Sequence, residues 1–242
     1  MDQAAKNPSS PSTNNLRPEQ NEFSPQLQTI VYENHQYQAI VFKLNNKTTQ
    51  WKLSYSQTPK RIEDWADELG ANLVVNGGFF TETFAPTGLF RLDGTNISDS
   101  AYTSTTVGSV QLREGLLALV NTSQLPAALD LFQSYPLLIR PDGAIAVEED
   151  TEKIARRTIL AQDAMDFTYV ILFDGTPLSL YTASVILPRM YPDLVWALNL
   201  DGGPSTGATY SAGNGRKHIL PAIELPIVLS AKTVSPVLPS GQ

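Results

Sequence analysis

Leu73-Val74-Val75-Asn76-Gly77-Gly78-Phe79-Phe80 and, much later in the chain, Val195-Trp196-Ala197-Leu198-Asn199-Leu200-Asp201-Gly202-Gly203-Pro204-Ser205-Thr206 share one design. In each, an apolar run of strand length passes into an asparagine and then into paired glycines. A short apolar run bounded by turn residues reads as a strand buried on both faces. Paired glycines behind it permit φ > 0 and let successive backbone N–H groups face one point, which makes an anion-binding nest. Asp201 would then stand at a strand end, on the rim of such a nest. A single Gly-Gly of this kind reads first as a tight turn. Two of them, each preceded by a buried strand and an asparagine, point to function.

Outward from these runs, the chain reads as short strands with a few helices between them. Thr29-Ile30-Val31-Tyr32, Tyr37 to Phe42 and Trp51 to Tyr55 are alternating, β-branched or aromatic. Ile62, Trp65, Ala66 and Leu69 fall at i, i+3, i+4 and i+7, so Ile62 to Leu69 reads as a helix that Gly70 stops. Further strands are expected at Gly88–Leu92, Val107–Leu112, Leu116–Val120, Leu137–Arg140, Thr158–Ala161, Tyr169–Phe173, Val195–Leu198 and Ile223–Leu229. Leu178 to Met190 reads as a helix broken at Pro188. The fold class is therefore α+β, a single domain over residues 28–235 with a mostly β core and a few interspersed helices. Residues 1–27, rich in Asn, Ser, Pro and Gln, hold too little apolar surface to offset ordering entropy and read as a disordered leader. Their composition is that of a spacer behind a removed signal or lipid anchor. Residues 236–242 read as a flexible tail.

Composition narrows the function classes. Apolar residues make up 42% of the 242 and charged residues 17%, which suits a sizeable core. With 17 basic against 24 acidic residues the net charge is -7, and no basic stripe interrupts it, so a nucleic-acid partner is not expected. The absence of cysteine excludes disulfides, thiolate nucleophiles and cysteine-ligated metals, and His35 and His218 are too few for a histidine-rich site. No window approaches the ~18 apolar residues of a membrane span. Met1 to Gln20 is polar and carries no signal-peptide core. Oligomeric state leaves no sequence signal.

Asn76-Gly77-Gly78-Phe79-Phe80 and Leu198-Asn199-Leu200-Asp201-Gly202-Gly203-Pro204-Ser205-Thr206 are similar to the two signature segments of the phosphodiester glycosidase family. Four further segments resemble the family pattern in the same order. They are Pro86-Thr87-Gly88-Leu89, Gln133-Ser134-Tyr135-Pro136-Leu137-Leu138, Arg157-Thr158 and Phe173-Asp174-Gly175. The resemblance spans roughly residues 28–232, and Tyr135 departs from it by replacing a glycine. That family includes the enzyme that uncovers mannose 6-phosphate by removing N-acetylglucosamine from its phosphodiester, and bacterial proteins tied to exopolysaccharide. The resemblance implies an extracytoplasmic (periplasmic or secreted) hydrolase that cleaves the glycosidic bond of a sugar-1-phosphodiester.

That bond sets the roles. Cleavage at an anomeric carbon needs a carboxylate beside an oxocarbenium-like transition state. The phosphate leaving group is a weak base, so stabilising its charge matters more than protonating it. Asp201 is the candidate nucleophile or general base, with Asp174 or Glu82 as second carboxylate. Arg157 would hold the departing phosphate bidentately, helped by the amides of Gly77, Gly78, Gly202 and Gly203. Asn76, Gln133 and Ser205 would hydrogen-bond sugar hydroxyls, with Asn199 and Thr206 in the same site, and Phe79 or Tyr135 would stack on a sugar face. Blander readings stand beside these. Asp174-Gly175 is equally a hairpin turn, Glu82 a solvated charge, Arg157 a structural ion pair with Arg156 the functional one, and one of Phe79 and Phe80 a core residue. Ser205 has no Gly-x-Ser-x-Gly elbow, and His218 lies in a polar Gly-Asn-Gly-Arg-Lys loop, which argues against a serine triad. Asn46-Lys47-Thr48, Asn96-Ile97-Ser98 and Asn121-Thr122-Ser123 match glycosylation sequons, a pattern frequent by chance. No cofactor is expected. A divalent cation such as calcium, held by Asp201, Asp174 and carbonyls, is a minor alternative without the spacing of a dedicated loop. The alternative from another class is a non-catalytic carbohydrate- or phosphate-binding module, for which Tyr135 is the supporting feature.

Overall fold

The computed structural model describes residues 23–120 and 130–234. The segment's remaining expectations, the leader up to residue 22, the tail and the sequon at Asn121, lie outside the described residues. Phe23 is buried and the first strand starts at Gln26, both inside the stretch that composition assigns to the leader.

Among the described residues, three antiparallel sheets and two α-helices make an α+β fold with a β-rich core. The six-stranded sheet runs in the order β1 (Gln26–Tyr32), β2 (His35–Asn45), β12 (Phe167–Leu178), β11 (Ala155–Asp163), β13 (Leu194–Asn199), β10 (Leu137–Ile139). A five-stranded sheet takes β15 (Gly215–Ile219), β14 (Ala208–Ala212), β4 (Leu73–Asn76), β16 (Leu225–Thr233) and β3 (Thr49–Lys60). The third comprises β6 (Thr95–Asp99), β5 (Leu89–Leu92), β9 (Asp130–Ser134), β7 (Gly108–Arg113) and β8 (Leu116–Val120).

Period-two alternation sorts the side chains of the six-stranded sheet into two cores. Phe42, Leu44, Val170, Leu172, Leu160, Trp196 and Leu198 point into the main core, shared with Trp51, Leu53, Val75 and Leu229 of the second sheet and Phe90, Val110 and Phe132 of the third. Val41, Ile159, Ala161, Ile171, Phe173 and Ala197 face the other way, under α2 (Leu180–Met190), whose Ala183, Ile186 and Leu187 complete a second core. Strands clothed on both faces explain the unbroken apolar runs Val170–Phe173 and Val195–Leu198. The second sheet's outer face, with Val74, Leu225 and Val228, carries α1 (Ile62–Leu69) through Ile62, Trp65 and Ala66. Gly70 ends α1 in the left-handed region at φ 52, donating its N–H to Asp67 O.

Several expectations change. The helix expected to break at Pro188 continues through it to Met190; the proline stands in the last turn, where it forfeits a single bond while Ile186 and Leu187 hold the helix down. Asp174-Gly175 is no hairpin turn, because β12 carries on to Leu178 against β11 with a register shift. The Gly-Asn-Gly-Arg-Lys stretch is the turn and second strand of the β14–β15 hairpin, with Gly213 at φ 56. Asn96-Ile97-Ser98 lies inside β6. Among the described residues no helix is long and apolar enough to cross a membrane.

Candidate active site

β4 and β13 belong to different sheets that face each other across the main core, and their ends meet. Asn76, at the tip of β4, is the joint. Its Nδ2 donates to Asp201 O at 2.6 Å, and its Oδ1 accepts from Thr158 Oγ1 at 2.7 Å and from Gly207 N at 3.2 Å. Asp201 N in turn donates to Gly77 O at 3.1 Å, and Leu200 N to Thr158 O at 2.9 Å. With Asn76 1% exposed, the carboxamide works as a strut between the two signature turns. It was expected to hold a sugar hydroxyl, yet its oxygen already serves two donors.

The glycines do less as a nest than their pairing suggests. Gly203 adopts φ 56, whereas Gly77, Gly78 and Gly202 stay out of the left-handed region. Gly77 N donates to Ile227 O at 3.0 Å, and a Cβ there would stand 2.5 Å from Ile227 Cγ2, so close approach of β16 is what requires glycine. Gly202 N donates to the Asp201 carboxylate at 2.9 Å. Only the Gly78 and Gly203 amides of the four have no acceptor among the described residues.

Asp201 is partly buried. Desolvation pushes its carboxyl above the ordinary aspartate value, while the Ser205 hydroxyl and the Gly202 amide pull it back by hydrogen-bonding the charged form. Ser205 is held in a 3₁₀ turn, Gly203–Ser205, that follows directly. Beside this turn run the two arginines of β11. A Cβ on Gly202 would stand 2.9 Å from Arg156 O and 3.8 Å from Arg157 Cδ. Alternation sends the two guanidinium groups to opposite faces. Arg156 pairs with Asp174, with Nε 2.6 Å from Oδ1, and also donates to Leu220 O at 3.2 Å. Arg157 donates Nε to Leu178 O at 3.1 Å and Nη2 to Lys153 O at 2.6 Å, and no carboxylate pairs with it among the described residues. Burial lowers its pKa. The structural ion pair therefore belongs to Arg156, and the half-buried unpaired cation is Arg157.

The remaining expected residues divide. Asp174 has its carboxylate committed to Arg156, and Glu82 sits exposed in the turn after Phe80. Among the described residues no three His, Cys, Asp or Glu gather into a metal-binding group. Gln133 is 2% exposed: Oε1 accepts from Leu89 N at 3.0 Å and Tyr102 N at 2.8 Å, and Nε2 donates to Ser109 Oγ at 3.2 Å. It pegs one loop to two strands and was expected to touch sugar. Asn199 donates Nδ2 to Tyr135 O at 3.0 Å, while its Oδ1 and the Thr206 hydroxyl are buried without a partner among the described residues. Phe80 packs on the main core; Phe79 stacks on Tyr135 with ring centroids 4.8 Å apart. His218 is exposed on β15 and bonds Thr209 Oγ1, not Ser205.

Sequence reasoning missed Tyr102 and Thr158. Tyr102 stands edge-on to Tyr135 at 4.9 Å, donates its hydroxyl to Thr87, and lies close enough to Asp201 for that charge to raise its pKa, behind the larger effect of burial. Its available signal was a lone aromatic ring in the Ser- and Thr-rich stretch 98–106. Thr158 was singled out only as part of the Arg157-Thr158 segment and given no role, since a threonine in a buried strand reads as β-propensity.

No curated protein matches the chain in sequence. Among solved structures it is similar to the zebrafish N-acetylglucosamine-1-phosphodiester alpha-N-acetylglucosaminidase catalytic domain, auto-inhibited by its pro-peptide. The TM-score is 0.62 at 15% identity, covering 86% of this chain and 82% of that one. A hypothetical protein from Synechocystis matches equally, with TM-score 0.62 and 14% identity over 87% of this chain and 62% of that one. These likenesses show a common fold. The phosphodiester glycosidase sequence profile matches residues 69–226, from the end of α1 to the start of β16 and well over half of the chain. With both signature turns inside that span and joined through Asn76, this chain belongs to the phosphodiester glycosidase family.

Proposed function

We propose that this chain is a hydrolase that cleaves the C1–O bond of a sugar-1-phosphodiester, of the N-acetylglucosamine type or from a cell-wall or exopolysaccharide sugar phosphate. The observation that carries the reading is one turn, Asp201-Gly202-Gly203, flanked by a desolvated carboxylate and an uncompensated guanidinium. Asp201 supports charge developing at the anomeric carbon, as nucleophile or as base for the attacking water. As C1–O breaks, the electron pair goes to the phosphate oxygen. Arg157 meets that charge, with the unpartnered Gly78 and Gly203 amides as further donors. The water's hydroxyl ends on C1 and its proton leaves through Asp201. A phosphate monoester is a good leaving group without protonation, which fits a site where Asp174 is tied to Arg156 and Glu82 is exposed. Phe79 and Tyr135 bound the sugar.

An extracytoplasmic location belongs to the same proposal, supported by the leader's composition. The test is release of sugar from a panel of sugar-1-phosphodiesters, the α-N-acetylglucosamine compound included, by wild type and Asp201→Ala. Release by wild type with a loss of over a thousandfold in the variant is expected. Folded wild type that binds the panel and releases nothing would shift the reading to a carbohydrate- or phosphate-binding module.

A further inference from the structure

Tyr135 occupies the position where the family pattern has glycine, and the residue is 42% exposed although two other rings touch its own. Phe79 approaches at 4.8 Å, tilted by 34°, and Tyr102 at 4.9 Å, edge-on at 79°. The three rings come from three separate segments, the first signature turn, the 100–106 loop and the end of β9. Such convergence is not a by-product of local sequence. Tyr102 is fixed with particular care. Its backbone N–H is held by Gln133 Oε1 at 2.8 Å, its hydroxyl by Thr87, and its ring lies so close on Gly88 that a Cβ there would meet ring atoms at 2.6 and 2.8 Å. Gly88 itself has φ 75, and the left-handed conformation together with that contact requires glycine there. Phe79 follows the Gly77-Gly78 turn, whose Gly77 O accepts from Asp201 N at 3.1 Å, and Tyr135 O accepts from Asn199 Nδ2 at 3.0 Å, which puts the rings beside the candidate reaction centre and not on a remote surface.

We infer that Tyr102, Tyr135 and Phe79 form a preorganised aromatic wall that takes the C–H face of the substrate's pyranose ring, with Tyr102 as a specificity-determining residue and Gln133 as the positioning residue that pegs its loop. The inference rests on the sugar-phosphodiester reading and names which part of that substrate the chain-specific ring receives. Rings held by their own contacts lose little freedom on binding, so their contact with a sugar is retained as affinity. The polar alternative, hydrogen-bonding of sugar by Gln133, is closed because its amide serves the wall.

The experiment titrates N-acetylglucosamine 1-phosphate and free N-acetylglucosamine by calorimetry into wild type, Tyr102→Ala, Tyr102→Phe and Tyr135→Gly, and measures KM and kcat on any phosphodiester that turns over. Tyr102→Ala and Tyr135→Gly should each weaken saccharide binding roughly tenfold, the scale of one aromatic contact. Tyr102→Phe, which keeps the ring, should stay within about twofold, and KM should carry the change while kcat holds. Binding by all three variants within about twofold of wild type would overturn the wall. So would wild type that binds neither saccharide. If Tyr102→Ala does not fold, the half-exposed Tyr135→Gly carries the test. Turnover with unchanged KM in the variants sinks the wall and leaves the hydrolase. Saccharide binding that depends on the rings, without any turnover, sustains the wall and sinks the hydrolase.

Discussion

Replacing Asn76 with alanine tests whether the two signature turns are one structure. The substitution deletes three side-chain bonds, to Asp201 O at 2.6 Å, from Thr158 Oγ1 at 2.7 Å and from Gly207 N at 3.2 Å. Thr158 is 0% exposed and Gly207 is buried, so water does not readily replace the lost partner. At about 1 kcal/mol per bond, and more where a buried group is orphaned, the loss should be on the order of 3–5 kcal/mol. That is a large part of the roughly 5–15 kcal/mol that holds a domain together. In urea, with a slope of about 2–3 kcal/mol/M, the unfolding midpoint should fall by about 1–2 M. Asn76→Asp separates the two halves of the argument. It keeps both accepting bonds but turns a buried, unpaired carboxylate oxygen towards the Asp201 carbonyl, so its loss, roughly 3–5 kcal/mol, should be confined to pH at which that carboxylate is charged. Its added charge near Asp201 should still depress turnover. An Asn76→Ala protein that unfolds within about 0.3 M of wild type and keeps full activity would refute the strut.

Removing the Ser205 hydroxyl takes away a bond that lowers the Asp201 pKa, so in Ser205→Ala the acidic limb of kcat/KM should move to higher pH; a limb that stays put would detach it from Asp201. Burial holds the folded Asp201 pKa above the ordinary aspartate value, so the stability linked to its protonated form is present below that ordinary value and is lost as pH rises through the folded pKa. Asp201→Asn should therefore melt above wild type at neutral pH, with the gap closing at acid pH. Gly77→Ala pushes a methyl to 2.5 Å from Ile227 Cγ2, and about 1–3 kcal/mol should be lost in a thermal melt. Asp174→Asn breaks a partly exposed pair with Arg156, at less than about 1 kcal/mol; kcat should stay within about tenfold, and a far larger drop would make Asp174 the second carboxylate.

Much of the scaffold was legible because it is written in local pattern. Val170–Phe173 and Val195–Leu198 are strands clothed on both faces, and the spacing of Ile62, Trp65, Ala66 and Leu69 with Gly70 behind it marks α1 at its observed bounds. The β14–β15 hairpin escaped because Gly215 to Ile219 is an edge strand whose Arg216, Lys217 and His218 bear the composition of a loop. In the site, Asp201 was legible as a carboxylate at a strand end, and so was the rivalry of Arg156 and Arg157. Alternation along β11 carries Arg156 to Asp174 and leaves Arg157 without a carboxylate partner among the described residues. Asn76 and Gln133 were assigned to sugar since a polar residue beside a glycine turn has no visible partner in sequence. Their partners lie far along the chain, Thr158 82 positions from Asn76 and Leu89 44 from Gln133, and only the folded sheets bring them within reach.

The central claim, that the bond broken is C1–O and not P–O, is tested most directly by hydrolysis in ¹⁸O-labelled water with mass analysis of both products. The account predicts label on the anomeric carbon of the released sugar and none in the phosphate monoester. Label in the phosphate, with unlabelled sugar, would contradict it and make the chain a phosphodiesterase on a glycosidase fold.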